Sequence, residues 1–150
     1  MRGNMLSHKL AFSAVLTLTI LSGIAMGMGS TPKYPQIKID GQEARLSPMM
    51  LGVCSIFLKI ENSGNGSDTL LNANVGIPGS VTEIHDVKDG RMVKAEKIHI
   101  PSGKTVELKP RGLHIMVFKM PKDITEKYEF TLHLMFEKSG EKQVHVKFVK

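Results

Sequence analysis

Histidines and methionines whose spacing could assemble a metal site are the chemically suggestive residues of this chain. His114 and Met116 are separated by one residue, and side chains two apart in a β-strand point to the same face. Upstream, Asp89-Gly90 is a strong tight-turn signal that would form a hairpin and bring His85 near Met92. Imidazole and thioether groups suit a soft ion such as Cu(I), whereas Mg²⁺ and Ca²⁺ prefer carboxylates, which this set lacks. The four residues therefore predict a soft-metal site.

Cysteine and acid–base chemistry are poorly represented in the sequence. Cys54 is the single cysteine of the 150 residues, which excludes an intrachain disulfide and any cysteine-based zinc or iron–sulfur cluster within one chain. It begins an apolar run, where we expect it to be a small buried hydrophobe. No Ser/His/Asp or paired-carboxylate arrangement stands out, so we expect a protein that is not an enzyme.

The basic residues do not indicate a nucleic-acid surface. The formal net charge is +6, but the lysines are spread along the chain and no aromatic platform lies among them. A scattered basic excess of this kind mainly keeps a protein soluble.

The N-terminal residues 1–29 have the pattern of an export signal. Basic residues precede an uncharged, mostly apolar run over 10–25, and Ala25 and Gly27 are placed as a small-x-small cleavage site. The run is short for a membrane span and is diluted by hydroxyl side chains, so cleavage is favoured over an uncleaved anchor. Either outcome places the rest of the chain outside the cytoplasm, in the periplasm or an equivalent compartment.

Residues 30–36 are interpreted as a linker and residues 37–150 as one β domain. Short β-type runs alternate with turn residues, and no convincing helical period occurs after the signal. Many short strands at this spacing favour a sandwich or a small barrel. The predicted strands are 36–39, 55–61, 69–75, 81–87, 92–100, 105–108, 113–118, 128–137 and 143–149.

The spacing of these residues resembles that of the periplasmic copper chaperone family called PCu(A)C, formerly a domain of unknown function. The metal motif of that family is His-(Met)-x10-Met-x21-His-x-Met, and the 21 residues 93–113 separate Met92 from His114 here. The resemblance covers most of the chain from about residue 37 onwards. It continues through residues 60–62, 68–71, 100–103, 106–116 and 136–140.

This resemblance implies a cupredoxin-like Greek-key β-sandwich or barrel that binds Cu(I) through His85, Met92, His114 and Met116. It also implies delivery of the copper to an acceptor protein, for which we expect the binuclear copper centre of a haem–copper oxidase. Cu(II) is a second ion that the histidines could hold. We expect a monomer that contacts a membrane only through an uncleaved N-terminal segment.

The chain departs from the family motif in its first loop. Six residues separate His85 from Met92 where the family has ten, and Asp86 replaces the optional methionine. A three-ligand site without His85 is therefore an alternative. Met49 and Met50 are further soft donors in a predicted loop, but they carry little weight.

The remaining histidines and methionines have plainer interpretations. His99, His133 and His145 each alternate with apolar neighbours, which predicts solvent-facing strand positions. Met120 and Met135 are expected to be packing residues.

Two other functions are compatible with parts of the pattern. An electron-transfer copper protein needs a cysteine thiolate close to two histidines, but no histidine follows Cys54 until His85. A metal-free extracellular β-sandwich interaction module would need none of the candidate ligands. Neither function requires the 21-residue spacing, so both rank below copper transfer.

Overall fold

The computed structural model describes residues 30–125 and 127–150, so the predicted export signal at 1–29 lies outside the described residues. Within these ranges the chain forms strands and no helix, and hence no helix long and apolar enough to cross a membrane. The strands are β1 (Ile37–Leu46), β2 (Cys54–Asn62), β3 (Asp68–Asn74), β4 (Val81–Lys88), β5 (Arg91–Lys94), β6 (Ile98–Ile100), β7 (Thr105–Leu108), β8 (His114–Phe118), β9 (Glu129–Phe136) and β10 (Gly140–Phe148).

These strands pair into one continuous sheet that curls around a single core. The strand order is β5-β4-β8-β2-β1-β10-β9-β3-β6, and β7 pairs with β2 beyond the end of β8. β1 and β10 run parallel, whereas the other paired strands are antiparallel. β3 and β4 also approach each other although they are not paired in the sheet. The prediction of an all-β sandwich or barrel is confirmed.

Alternating apolar residues turn one face of the sheet into the core. On β8, Ile115 and Val117 are fully buried, which leaves His114 and Met116 on the outer face. Burial of one such aliphatic side chain contributes about 1.5–3 kcal/mol relative to leaving it exposed. On β9 the inward residues are Phe130, Leu132, Leu134 and Phe136.

The predicted strand at 92–100 is wrong, because this segment forms two short strands. β5 pairs with β4 at one end of the strand order, and β6 pairs with β3 at the other end. Residues 95–97 make the crossing between these ends, with the Ala95 N–H donating to the Ile84 carbonyl at 2.8 Å. Periodicity cannot detect such a break when the residues on both sides remain strand-like.

The segment preceding β1 is attached to the loop between β2 and β3. Residues 31–36 have no regular secondary structure. The Tyr34 N–H donates to Asn65 Oδ1 at 2.8 Å, and the Gln36 N–H donates to Asn62 Oδ1 at 3.0 Å.

Asp68, at the start of β3, fastens the turn after β9 to the edge of the sheet. Its Oδ1 accepts the Lys138 N–H at 2.9 Å, and its Oδ2 accepts the Ser139 N–H at 3.0 Å. Burial opposes ionisation of this carboxyl, which is 1% exposed, but hydrogen bonds from Ser139, Lys138 and Thr69 outweigh that effect and lower its pKa.

We therefore predict that Asp68→Asn lowers the free energy of unfolding by about 2 kcal/mol at neutral pH, because one amide N–H₂ would face a backbone donor. A lowered folded-state pKa gives stability that is present above the unfolded pKa of about 3.9 and lost as pH falls through the folded value. The difference between wild type and variant, measured by urea unfolding, should therefore shrink in acid. Asp40→Asn is the control, since Asp40 is exposed and pairs with the exposed Lys38, and should change stability by less than about 0.5 kcal/mol.

Candidate metal centre

The pairing of β4 with β8 places two of the predicted ligands directly opposite each other. His85 is the register partner of His114, and both lie on the outer face of the sheet because their neighbours Ile84 and Ile115 face the core. The two imidazole rings are 5.9 Å apart between centroids and meet edge to face. Both rings are largely buried, since His114 is 5% exposed and the side chain of His85 is 12% exposed.

A tight turn between β7 and β8 positions His114. The Lys109 N–H donates to the Leu113 carbonyl at 2.7 Å, and Arg111 adopts a φ of 66° inside this turn. His114 Nδ1 lies 2.8 Å from the Gly112 carbonyl oxygen, which can only accept, so Nδ1 carries the proton. The Nε2 lone pair of the neutral ring is therefore free to bind a metal.

His85 is oriented by a carboxylate and leaves its other nitrogen without a partner. Its Nε2 lies 2.9 Å from Glu83 Oε2, and its Nδ1 is the one buried side-chain polar atom of the described residues without a hydrogen bond. Hydrogen bonds from Lys94 and then His85 hold the pKa of Glu83 below its usual value, so this carboxylate stays ionised. A carboxylate behind one imidazole nitrogen is the usual arrangement when the other nitrogen binds a metal.

Met92 is presented by the β4–β5 hairpin at the open side of this pair. Asp89 and Gly90 have φ values of 51° and 73°, as a two-residue hairpin turn of type I′ requires. Met92 is the register partner of Val87, on the same face as His85, and is 54% exposed. The sequence-based expectation of a hairpin at this turn is confirmed.

Met116 lies on the opposite side of the histidine pair. It is the register partner of both Glu83 on β4 and Ser55 on β2, and it is only 5% exposed. The levels of Met92 and Met116 differ by four strand residues, about 13 Å. Each methionine is two strand residues from the level of the histidine pair, on opposite sides of it, but Met116 lies on β8 with His114, whereas Met92 lies on β5, beyond β4.

A cavity of about 570 Å³ opens beside the histidine pair. His114 and Met92 both line it, whereas His85 and Met116 do not. Met92 is 54% exposed and His114 is 5% exposed, so the donors become more buried from Met92 inwards. The other lining residues are Ser55, Phe57, Val87, Gly90, Pro110 and Arg111.

Sequence reasoning missed Glu83 as a member of this site. The signal was present, because Glu83 stands two residues before His85 and so shares its face in a strand. The contact between His85 and His114 had no local signal, since it depends on the pairing of two strands that are distant in sequence.

Cys54, by contrast, lies outside the candidate site. It is fully buried on the core face, its thiol donates to Met120 Sδ at 3.2 Å, and burial raises the pKa of the thiol to about 12. The expected burial of Cys54 and the expected packing of Met120 are confirmed. His99 and His145 are exposed as expected, whereas Met135 is 42% exposed, so its assignment to the packed interior is wrong.

The hydrogen bonds of the two rings predict opposite tautomers in the metal-free protein. Neutral His114 should carry its proton on Nδ1 and neutral His85 on Nε2, which long-range ¹H–¹⁵N correlation spectra would show in alkaline buffer, above the range where unperturbed histidine titrates. His99, which has no such partner among the described residues, serves as the solvent-exposed reference. Identical tautomers at His85 and His114 would contradict the assignment of their free lone pairs.

Comparisons with known proteins identify the family of this chain and structures that share its fold. Residues 37–148 match the family described as "LpqE-like: Putative lipoprotein LpqE-like". The chain is 27% identical over 122 residues to "Putative lipoprotein Lxx21020" of Leifsonia xyli subsp. xyli (strain CTCB07), covering 75% of this chain and 73% of that protein.

Two solved structures share the fold. The apo PCuAC domain from PmoF1 superposes with a TM-score of 0.66 at 22% identity, covering 79% of this chain and 98% of that one. The copper-bound PCuAC domain from PmoF2 gives 0.63 at 19% identity, with coverage of 78% and 97%. Since the family match spans most of the β domain, the chain belongs to the LpqE-like family.

Proposed function

We propose that this protein is an exported copper carrier that binds Cu(I) and passes it to an acceptor protein. The observation that carries the proposal is the pairing of His85 with His114, in which each ring has one nitrogen engaged and the other left as a lone-pair donor. Two neutral imidazoles and a neutral thioether make a donor set that suits Cu(I). The solved copper-bound PCuAC domain of the same fold supports copper as the cargo.

The inner ligands are His85, His114 and Met116, and Met92 is the outer ligand. Met116 shares a strand face with His114, so it completes the inner set without movement of the backbone. Met92 lies on β5, an edge strand whose four residues are all exposed, and it lines the cavity. The shortened hairpin still leaves His85 opposite His114, and Met92 lies one strand further from His114 than His85 does.

Because the candidate ligands differ in burial, an acceptor protein would replace them in a fixed order, beginning with the most exposed one. A donor from an acceptor protein meets Met92 first, because this side chain is 54% exposed and lies at the mouth of the cavity. Replacement of Met92 opens the way to His114, which is 5% exposed. Stepwise replacement keeps Cu(I) coordinated throughout, so the ion never passes through a bare and unfavourable state in water.

A binding role outside the cytoplasm fits the family and the leader sequence. The LpqE-like family and the Leifsonia relative are both described as lipoproteins, which supports an exported, membrane-associated protein. Cys54 is buried in β2 and unsuited to carry a lipid, so attachment would fall to the apolar N-terminal segment. We propose that the protein acts as a monomer and that its acceptor is the binuclear copper centre of a haem–copper oxidase.

The electron-transfer alternative loses support from the position of the thiol. Cys54 pairs with Val117 on the core face of β2, whereas His85 and His114 are on the outer face. Its pKa of about 12 also disfavours the thiolate that a blue-copper centre needs. The metal-free interaction module is tested by the copper titration below.

His85→Ala and His114→Ala should each weaken Cu(I) binding at least about 100-fold, since each removes an inner donor, and 100-fold corresponds to about 2.8 kcal/mol. Met116→Leu should weaken it similarly, whereas Met92→Leu alone should cost about tenfold, or 1.4 kcal/mol. The measurement is anaerobic competition against a chromogenic Cu(I) chelator, with circular dichroism to check the fold.

His99→Ala is the matched control for this series, because His99 is exposed on β6 and lies away from the pair. Its Cu(I) affinity should equal that of wild type. Wild-type affinity in both His114→Ala and the Met92→Leu/Met116→Leu double variant would contradict the site, and a wild-type chain that does not bind Cu(I) tightly would favour the metal-free module.

Transfer to the proposed acceptor is a separate test. The Cu(I)-loaded chain should metallate the reduced copper domain of an oxidase subunit, and the optical spectrum of the oxidised binuclear centre reports this. The His114→Ala variant, supplied with the same total copper, should transfer no more than free copper does. An acceptor spectrum that develops equally with wild type and variant would contradict delivery from this site.

A further inference from the structure

A second histidine–methionine pair lies on the outer face of β9, away from the first site. His133 and Met135 are separated by Leu134, which is fully buried, so the two flanking side chains point outwards together. This is the same His-x-Met spacing as His114 and Met116. β9 is four strands from β8 in the strand order, about 19 Å along the sheet, so the two pairs do not share an ion.

Neighbouring strands complete a small cavity around this pair. On β3, Asn74 is the register partner of His133 and Asn72 that of Met135, and on β10, Glu141 is the partner of Met135. The cavity measures about 110 Å³, large enough for a single ion and its ligands. Met135 is 42% exposed there, so its sulfur can be reached from solvent.

Glu141 orients the imidazole of His133. Its Oε1 lies 2.7 Å from His133 Nδ1 and also accepts from Gln143 Nε2 at 2.7 Å. The carboxylate can only accept from the ring, so Nδ1 carries the proton and Nε2 is the free donor of the neutral imidazole. Nε2 lies near Gly76, where an ideal Cβ would be 3.8 Å away, so no side chain from this residue covers the free nitrogen.

The oxygen donors beside the pair are already engaged. Asn72 Oδ1 accepts the Ala73 N–H, Asn74 Oδ1 accepts the Gly76 N–H, and Glu141 is the single carboxylate lining the cavity. Hard cations need several oxygen ligands, so this arrangement disfavours them. One free imidazole nitrogen and one thioether suit a soft ion.

We propose that His133 and Met135 form a second, weaker site for a soft monovalent ion such as Cu(I), with Glu141 as the positioning residue of the imidazole. The second site offers two donors, fewer than the first site does. We therefore expect it to have a lower affinity for Cu(I) and to fill second. This inference goes beyond the carrier function and does not depend on the first site.

The test is an anaerobic titration of the full-length protein with Cu(I), followed by NMR of ¹³C-methyl methionine and ¹⁵N histidine. The second equivalent should shift the Met135 methyl and His133 Nε2 signals after the His114 signals are complete. His133→Ala and Met135→Leu should each abolish the second event, and Glu141→Gln should weaken it about tenfold. None of these variants should change binding of the first equivalent.

His145→Ala is the matched control. His145 also has a carboxylate partner, with its Nε2 2.7 Å from Glu129 Oε2, but the residue two positions on is Lys147 rather than methionine. This variant should leave the second event unchanged.

The proposals for the two sites can be contradicted independently of each other. Shifts at Met135 that persist in His114→Ala, whatever the fate of the first equivalent, would uphold the second site. A Met135 methyl signal that does not move when several equivalents are added would overturn it, even if the first site binds Cu(I) as proposed. A Glu141→Gln variant with unchanged affinity and unchanged His133 tautomer would overturn the positioning role.

Discussion

The register between β4 and β8 is the constraint on which the candidate metal centre depends. It sets His85 directly opposite His114 and, by the same alternation, sets Glu83 opposite Met116. A shift of one residue in this pairing would turn one strand's candidate ligands into the core and bring apolar residues out. The buried side chains Ile84 and Ile115 oppose such a slip, so hydrophobic burial on one face fixes the metal-binding geometry on the other.

This arrangement has a cost in the metal-free protein. The buried Nδ1 of His85 lacks a hydrogen bond among the described residues, and an unsatisfied buried polar atom costs about 1–3 kcal/mol. Coordination of a soft ion would remove that penalty, because the lone pair then has a partner. A nitrogen held in this way also needs little reorganisation to bind, since Glu83 already fixes the ring.

Local patterns predicted most of the strands, and long-range pairing accounts for what they missed. The Asp89-Gly90 turn and the alternation around Ile115 could be read directly, because both depend on neighbouring residues. The split of the segment 92–100 could not, since its two halves pair with opposite ends of the strand order. Met135 was wrongly expected to pack because methionine commonly fills cores, although alternation with the buried Leu134 and Phe136 places it on the same outward face as His133.

In the candidate site, too, local patterns predicted one part and the long-range pairing of strands determined the rest. Its four residues were predicted from spacing and from a family resemblance, whereas the order of burial from Met92 to His114 came from the fold. The short loop after His85 raised doubt about that residue as a ligand. In the fold, His85 lies opposite His114, and Met92 is on β5, one strand further from His114.

The central claim is that a histidine pair with a thioether holds Cu(I) on the outer face of this sheet. X-ray absorption at the copper edge, on the full-length protein loaded with one equivalent of Cu(I), tests it most directly. We predict imidazole scattering from two histidines together with at least one thioether sulfur, and loss of imidazole scattering in His85→Ala and His114→Ala. A first shell of oxygen or of thiolate sulfur, or an unchanged spectrum in both variants, would contradict the account.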